Sequence, residues 1–450
     1  PSGSPGHQSS GYVQGRCIGN CLDRRVLAYS INLNTFAFQS SYSVMSLQIS
    51  NKTRLMPASA IRKLVPFADA AKEQGVKVYH LNVGAPDIKS PQCAIDEVIR
   101  RCQDMHHLSY TNSAGLMELR KGLVEKYYKK IGIDIEVSEL LVEVAGSEAF
   151  ASAMQIAADR GDEIIVIEPY YTNYQTFAFL NGITLKAVPT SIDDDFRIPD
   201  ISEFEKLVTD RTKAVLISNP CNPSGKLFTR EEMLAIGDFC KRHDLFLISD
   251  EVYREFCYTD EPHFSAMNIP GCEQNVILVD SVSKRYNLCG ARIGCIVSHN
   301  KDVMAAALKF AQSRLCPPVF GQYSAIGALD TPQSYFDEVK QEYIRRRDCA
   351  VGMLNEIPGV RASMPYGAFY TIAELPVEDA EDFVKWMLTD FRVDSQTTMV
   401  TPAGSFYKTP GVGRNQVRIA YVLEVPELKK AINILGEGLS AYKSLSGNAY

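Results

Sequence analysis

The chain has no apolar run approaching the roughly 18 residues that a membrane-spanning helix needs, which argues against a helical membrane protein. No block of basic residues is longer than Arg345-Arg346-Arg347, and the net charge is −6, so a general nucleic-acid binder is not expected. That short run reads as one exposed helix turn. The twelve cysteines, scattered from Cys17 to Cys349, include no CxxC pair, and a chain of 450 residues does not depend on disulfide staples. A reducing setting is the simpler reading, and a cytoplasmic protein is expected. Seven histidines form no HExxH and no cluster with cysteine at zinc spacing, and His106-His107 reads as surface, so no metal is expected. Internal repeats and low-complexity tracts are also missing.

What is present has ordinary globular character, with 46% hydrophobic and 22% charged residues. The length exceeds the roughly 250–300 residues at which one core stops growing, so two domains are expected. Residues 1–44 lack helical or strand period. Their apolar stretch VLAYSINLNTFAF, after Arg24-Arg25, resembles a signal peptide but is broken by Ser, Asn and Thr and is followed by no clear cleavage site, so the segment reads as a leader or an appended extension outside the fold. Residues 45–90 read as an N-terminal arm contributing to a small domain, 91–330 as a large domain and 331–447 as the small C-terminal domain.

From about residue 115, helical patterns alternate with short apolar runs: LLVEVAG, EIIVIEPYY, ITLKAVP, TKAVLISNP, LFLISDEVY, NVILVDS and RIGCIVS. Runs such as LFLIS and NVILV are continuously apolar, as strands buried on both faces must be. The expected fold class is α/β, a mostly parallel seven-stranded sheet flanked by helices, with a smaller α+β domain built around GAFYTIAEL and QVRIAYV.

Three loops that follow strands of this sheet are rich in polar groups: NPCNPSG (219–225), SDEVYREF (249–256) and DSVSKRYNLCGARIG (280–294). Ligands of open α/β sheets bind at the carboxyl ends of strands, so Asn222, Asp250, Tyr253 and Lys284 are expected to converge. Taken singly, Asp250 has a second reading as a helix N-cap and Lys284 one as a surface lysine. Together with Ser281, Ser283 and Arg292 they supply an amine nucleophile, a carboxylate suited to a cation, and donors suited to a phosphate. Pyridoxal 5'-phosphate needs that combination: a lysine for its aldehyde, an acid for its ring nitrogen and a cradle for its phosphate.

The chain resembles the fold type I pyridoxal-phosphate enzymes of the aspartate aminotransferase family (class I/II). SVSKRYNLCGARIG carries the lysine signature, and LNVGAPD, SYTNSAG, AGSEA, EPYYTNY, NPCNPSG, SDEVY and QVRIAY extend the resemblance from Met45 to about residue 447. It implies the pyridoxal-phosphate-dependent transferase fold and that Lys284 carries the cofactor as a Schiff base. By the same resemblance Asp250 keeps the ring nitrogen protonated, Asn222 and Tyr253 bond the ring hydroxyl oxygen, and Tyr171 stacks on the ring where many relatives carry tryptophan. Gly146, Ser147, Ser281 and Arg292 hold the phosphate, joined by Tyr110 from the neighbouring subunit of a homodimer with shared active sites. Arg418 clamps the substrate α-carboxylate, and Gly84 and Asn222 complete that contact. Read alone, AGSEA is a helix start, Gly84 a turn residue, Tyr171 a core tyrosine and Tyr110 a loop tyrosine packed on its own domain.

The implied reaction moves an amino group from an L-amino acid, aspartate by overall resemblance, to a 2-oxo acid, 2-oxoglutarate, in a ping-pong sequence. Aromatic or alanine-type donors, a lyase on the same fold, and an inactive regulatory cofactor-binding protein are the other readings. Ser147 stands where some dicarboxylate-specific relatives carry lysine, and Arg314 in QSRLCPP, off the spacing of the partner-subunit arginine of the classical enzymes, reads as a surface arginine.

Overall fold

A computed structural model describes residues 47–59 and 61–445. The leader expected over 1–44 lies outside the described residues. Residues 47–50 carry no helix or strand and belong to a separate unit from the compact body that begins at Asn51.

Among the described residues, thirteen strands form three sheets. β1 (Lys77–His80) pairs in parallel with β11 (Gln396–Met399), joining the N-terminal segment to the C-terminal part of the chain. The central sheet comprises β2 (Leu140–Glu143), β3 (Glu163–Glu168), β4 (Thr184–Pro189), β5 (Thr212–Ser218), β6 (Phe246–Asp250), β7 (Val276–Ser281) and β8 (Gly294–Val297), in the order β2-β8-β7-β6-β5-β3-β4. β8 pairs antiparallel with both β2 and β7, and the other pairs of this sheet are parallel. The mostly parallel seven-stranded α/β sheet expected from the sequence is therefore present. β9 (Arg361–Ala362), β10 (Tyr370–Glu374), β12 (Thr401–Pro402) and β13 (Gln416–Ala420) form an antiparallel sheet in the order β12-β13-β10-β9.

The continuous apolar runs follow from burial on two sides. Leu140, Val142, Ile165, Val215, Leu247 and Leu278 enter one core, and Leu141, Ile164, Val166, Leu216, Ile248 and Ile277 enter another, as the period of two dictates. Helices cover both faces. Arg230–Arg242 begins at Thr229, whose hydroxyl accepts the Glu232 amide at 3.2 Å while the Glu232 carboxylate accepts the Thr229 amide at 2.8 Å, a reciprocal cap written in TREE.

Register brings the polar strand ends together. Ser218 lies opposite Asp250, Asp250 opposite Val279, and Ser281 opposite Gly294, so the ends of β5, β6 and β7 share one edge of the sheet. Gly294 has a second role. A Cβ there would lie 2.5 Å from the Ala145 carbonyl carbon and 2.7 Å from the Gly146 nitrogen, so only glycine lets the helix Ala145–Ala157 seat its N-terminus against β8.

The triple-arginine run is not one exposed turn. Arg346, on the long helix Gln333–Glu356, is buried; its guanidinium donates to Asp87 at 2.6 Å, to Glu342 at 2.7 Å and to the Val422 carbonyl. A basic side chain on the inner face is tolerated because two carboxylates and a carbonyl satisfy it.

Candidate active site

At the shared strand edge a cavity of about 320 Å³ is lined by Gly84, Gly146, Ser147, Tyr171, Asn222, Asp250, Tyr253, Ser281, Lys284, Arg292 and Arg418. Eleven of the twelve sequence-derived positions thus converge. Tyr110 is the exception: it is 78% exposed and does not line the cavity of its own chain.

Lys284 sits on the short helix Val282–Arg285 that opens where β7 ends, with Ser281 as its N-cap. Its Nζ donates to the Gly84 carbonyl at 2.8 Å and lies 3.6 Å from Cys289 Sγ. The following residue, Arg285, turns the other way into a buried network, donating to Asp280 at 2.5 Å and to Glu255 at 3.1 Å. One side of this turn therefore faces the cavity while the other anchors it.

Asp250 ends β6. Tyr174 donates to its Oδ2 at 2.5 Å, and the Val252 amide to its Oδ1 at 3.2 Å. Among the described residues no cation pairs with this carboxylate, and burial pushes its pKa up to about 7. A carboxylate desolvated without a counter-ion is costly, and it would be relieved by a protonated nitrogen brought into the cavity.

Arg418 stands mid-strand in β13, opposite Ile372 and Thr401. It is fully buried, donating Nη1 to Asn222 Oδ1 at 3.0 Å and Nη2 to the Asn82 carbonyl at 2.5 Å, whereas its Nε has no partner. Asn82, just beyond β1, reaches it because β1 pairs with β11.

Around the opposite end, Ala145, Gly146 and Ser147 present a helix N-terminus to the cavity, beside the Ser281 and Ser283 hydroxyls, 2.8 Å apart, and the exposed Arg292. Free amides at a helix start, two hydroxyls and a guanidinium are a donor set for an anion. Arg292 takes a left-handed backbone (φ 54°) and donates to the Cys289 carbonyl at 2.9 Å. Tyr171 accepts from Asn173 Nδ2 at 2.9 Å, and burial pushes its hydroxyl up to about 12.

Arg314 is not a surface arginine. Its guanidinium donates to Glu148 at 3.1 Å, to Glu143 at 3.2 Å and to the Val142 and Ser113 carbonyls, beneath the helix start that lines the cavity. Sequence reasoning also passed over Arg62, Cys289 and Tyr370, which line the cavity, and Tyr174, which supports Asp250. Cys289 lies inside the quoted lysine segment. Tyr174 stands three residues after Tyr171, within one helical turn, a spacing that signals a shared neighbourhood.

A family model for aminotransferase class I and II matches residues 76–435. This chain belongs to that family. An aspartate aminotransferase of Pyrococcus abyssi is 32% identical over 393 residues, covering 86% of this chain and 97% of the relative. Among solved structures, an aspartate aminotransferase single mutant of Thermus thermophilus is 27% identical with a TM-score of 0.79, covering 87% of this chain and 100% of that one. An alanine aminotransferase of Pyrococcus furiosus is 29% identical with a TM-score of 0.79, covering 88% and 100%. The class I and II aminotransferases are pyridoxal-phosphate-dependent, and this aminotransferase is a transferase that uses that cofactor. No helix among the described residues is long and apolar enough to cross a membrane.

Proposed function

We propose that transamination takes place in the cavity at the ends of β5, β6 and β7, with aspartate as amino donor and 2-oxoglutarate as acceptor in a ping-pong sequence. The observation that carries this reading is the convergence of a lysine amine, an unpaired buried carboxylate and a buried arginine on one cavity. The fit to pyridoxal phosphate rests on what those groups lack among the described residues: Asp250 has no cation, and Arg418 Nε has no acceptor.

When bound, pyridoxal phosphate supplies an aldehyde for exchange between amines and a ring that accepts negative charge from the amino acid's α-carbon. Lys284 Nζ would hold the cofactor through its aldehyde, and the same amine stands as the base for the substrate's α-proton. Asp250 keeps the ring nitrogen protonated. Asn222 and Tyr253 would bond the ring oxygen, Tyr171 would pack on the ring, and Gly146, Ser147, Ser281 and Arg292 would take the phosphate. Arg418 holds the substrate α-carboxylate through its planar fork, with Gly84 and Asn222 beside it.

The exposure of Tyr110 supports a homodimer in which this residue serves the phosphate of the partner chain. The same reading makes residues 45–90 an arm, 91–330 a large domain and 331–447 a small one, in a cytoplasmic enzyme. Aspartate is favoured by the name of the Pyrococcus abyssi relative, and the alanine aminotransferase of like fold makes a monocarboxylic donor the second reading. Product analysis with aspartate or alanine and 2-oxoglutarate decides between them: oxaloacetate formed much faster than pyruvate supports the first, the reverse the second.

A further inference from the structure

Tyr370 opens β10 and is almost wholly buried, yet it lines the cavity. It meets three parts of the site at once. Its hydroxyl lies 2.9 Å from the Tyr253 hydroxyl, with the two rings edge to face at 5.6 Å. The Arg418 guanidinium carbon stands 4.5 Å from the centre of its ring. A Cβ added at Gly84 would fall 1.8 Å from the Tyr370 hydroxyl, so this oxygen rests against the glycine whose carbonyl accepts Lys284 Nζ.

A ring placed only to fill space needs no hydroxyl, and a buried hydroxyl is costly unless it is paired. Among the described residues the Tyr253 and Tyr370 hydroxyls have no hydrogen-bond partner but each other. Each carries one proton. In such a pair one oxygen donates and the other accepts, and the acceptor's own proton stays available to a third group. Donation by Tyr370 also polarises the Tyr253 O–H and makes it the better donor. The ring face, meanwhile, attracts the Arg418 cation and limits where its fork can point.

We propose that Tyr370 is a positioning residue for the aminotransfer reaction: its hydroxyl donates to Tyr253, freeing the Tyr253 proton for the cofactor's ring oxygen, while its ring holds Arg418 flat for the substrate carboxylate. The inference rests on the parts assigned above to Tyr253 and Arg418. It splits Tyr370 into two separable functions, one in the oxygen and one in the ring.

Tyr370→Phe and Tyr370→Leu test the split, with Tyr253→Phe as reference. The first readout is the pH midpoint of the visible absorption change of the cofactor-loaded protein. A donor to the ring oxygen stabilises its anionic form, so losing that donor should raise the midpoint. Tyr253→Phe is expected to raise it by about one unit and Tyr370→Phe by roughly half as much, in the same direction. The second readout is the dissociation constant of a carboxylic acid lacking the amino group, measured by spectral titration. Tyr370→Phe should leave it within about twofold of the parent, whereas Tyr370→Leu should weaken it about tenfold. An unmoved midpoint in Tyr370→Phe, beside a moved one in Tyr253→Phe, overturns the hydroxyl relay. Equal weakening of acid binding by Phe and Leu overturns the role of the ring. If Tyr253→Phe itself leaves the midpoint unmoved, the assignment of Tyr253 fails and the proposal with it, a result distinct from either failure at Tyr370. Circular dichroism and retained cofactor binding identify which variants are folded, and Tyr370→Phe, which keeps the ring, carries the decisive comparison.

Discussion

Tyr174 donates its hydroxyl proton to Asp250 at 2.5 Å, and among the described residues this hydrogen bond and one backbone amide are what support the buried carboxylate. The interaction favours the ionised form, but desolvation outweighs it and the pKa rises to about 7. The cofactor-free protein thus holds an electrostatic debt at its centre.

That debt has a sign. A carboxyl whose pKa is raised by folding contributes stability below the ordinary carboxylate range and loses it as pH climbs to about 7. Asp250→Asn should therefore raise the melting temperature of the cofactor-free protein above pH 7 by several degrees, with the gain vanishing toward pH 4. The same variant should lose at least about a hundredfold in turnover, because an amide cannot keep the ring nitrogen protonated. Calorimetry from pH 4 to 8 beside steady-state rates checks both halves. A variant less stable than its parent at pH 8 would mean that Asp250 has a cation nearby.

Arg418→Lys should retain the fold and bind cofactor normally, yet lose roughly a hundredfold in kcat/KM, since an ammonium cannot reproduce a planar two-point contact with a carboxylate. The loss should be similar for every amino acid, because the α-carboxylate is common to all. Rates for three donors differing in side chain provide the check.

Gly294→Ala puts a methyl group into the backbone of Ala145 and Gly146. The helix start, proposed above to take the phosphate, must move. Cofactor affinity should fall about tenfold or more, with a melting temperature lower by several degrees. Equilibrium titration with pyridoxal phosphate measures the first effect.

Much of this was legible in the sequence for a physical reason. Strands buried on both faces must be apolar throughout, so LFLIS and NVILV announced the sheet, and the polar residues that interrupt them, Asp250 and Ser281, had to lie at its edge. Tyr370 gave no such sign, because an aromatic residue entering a buried strand reads as core until its hydroxyl partner is known. Arg346 and Arg314 misled for the opposite reason. Both look like solvated charges until carboxylates from distant segments, Asp87 for the first and Glu143 for the second, come to meet them.

Mixing chains tests the shared site. Lys284→Ala and a Tyr110 variant severe enough to be inactive should, after verified subunit exchange, form some sites that contain both intact residues, and activity should rise above either parent. Verified exchange without recovery would place Tyr110 in the service of its own chain.

The central claim is that Lys284 is the residue through which this aminotransferase holds its cofactor. Reduction of the loaded protein with borohydride, followed by peptide mapping, tests it most directly. The cofactor's mass should be found on Lys284 and be absent from folded Lys284→Ala; a label on any other lysine would contradict the account.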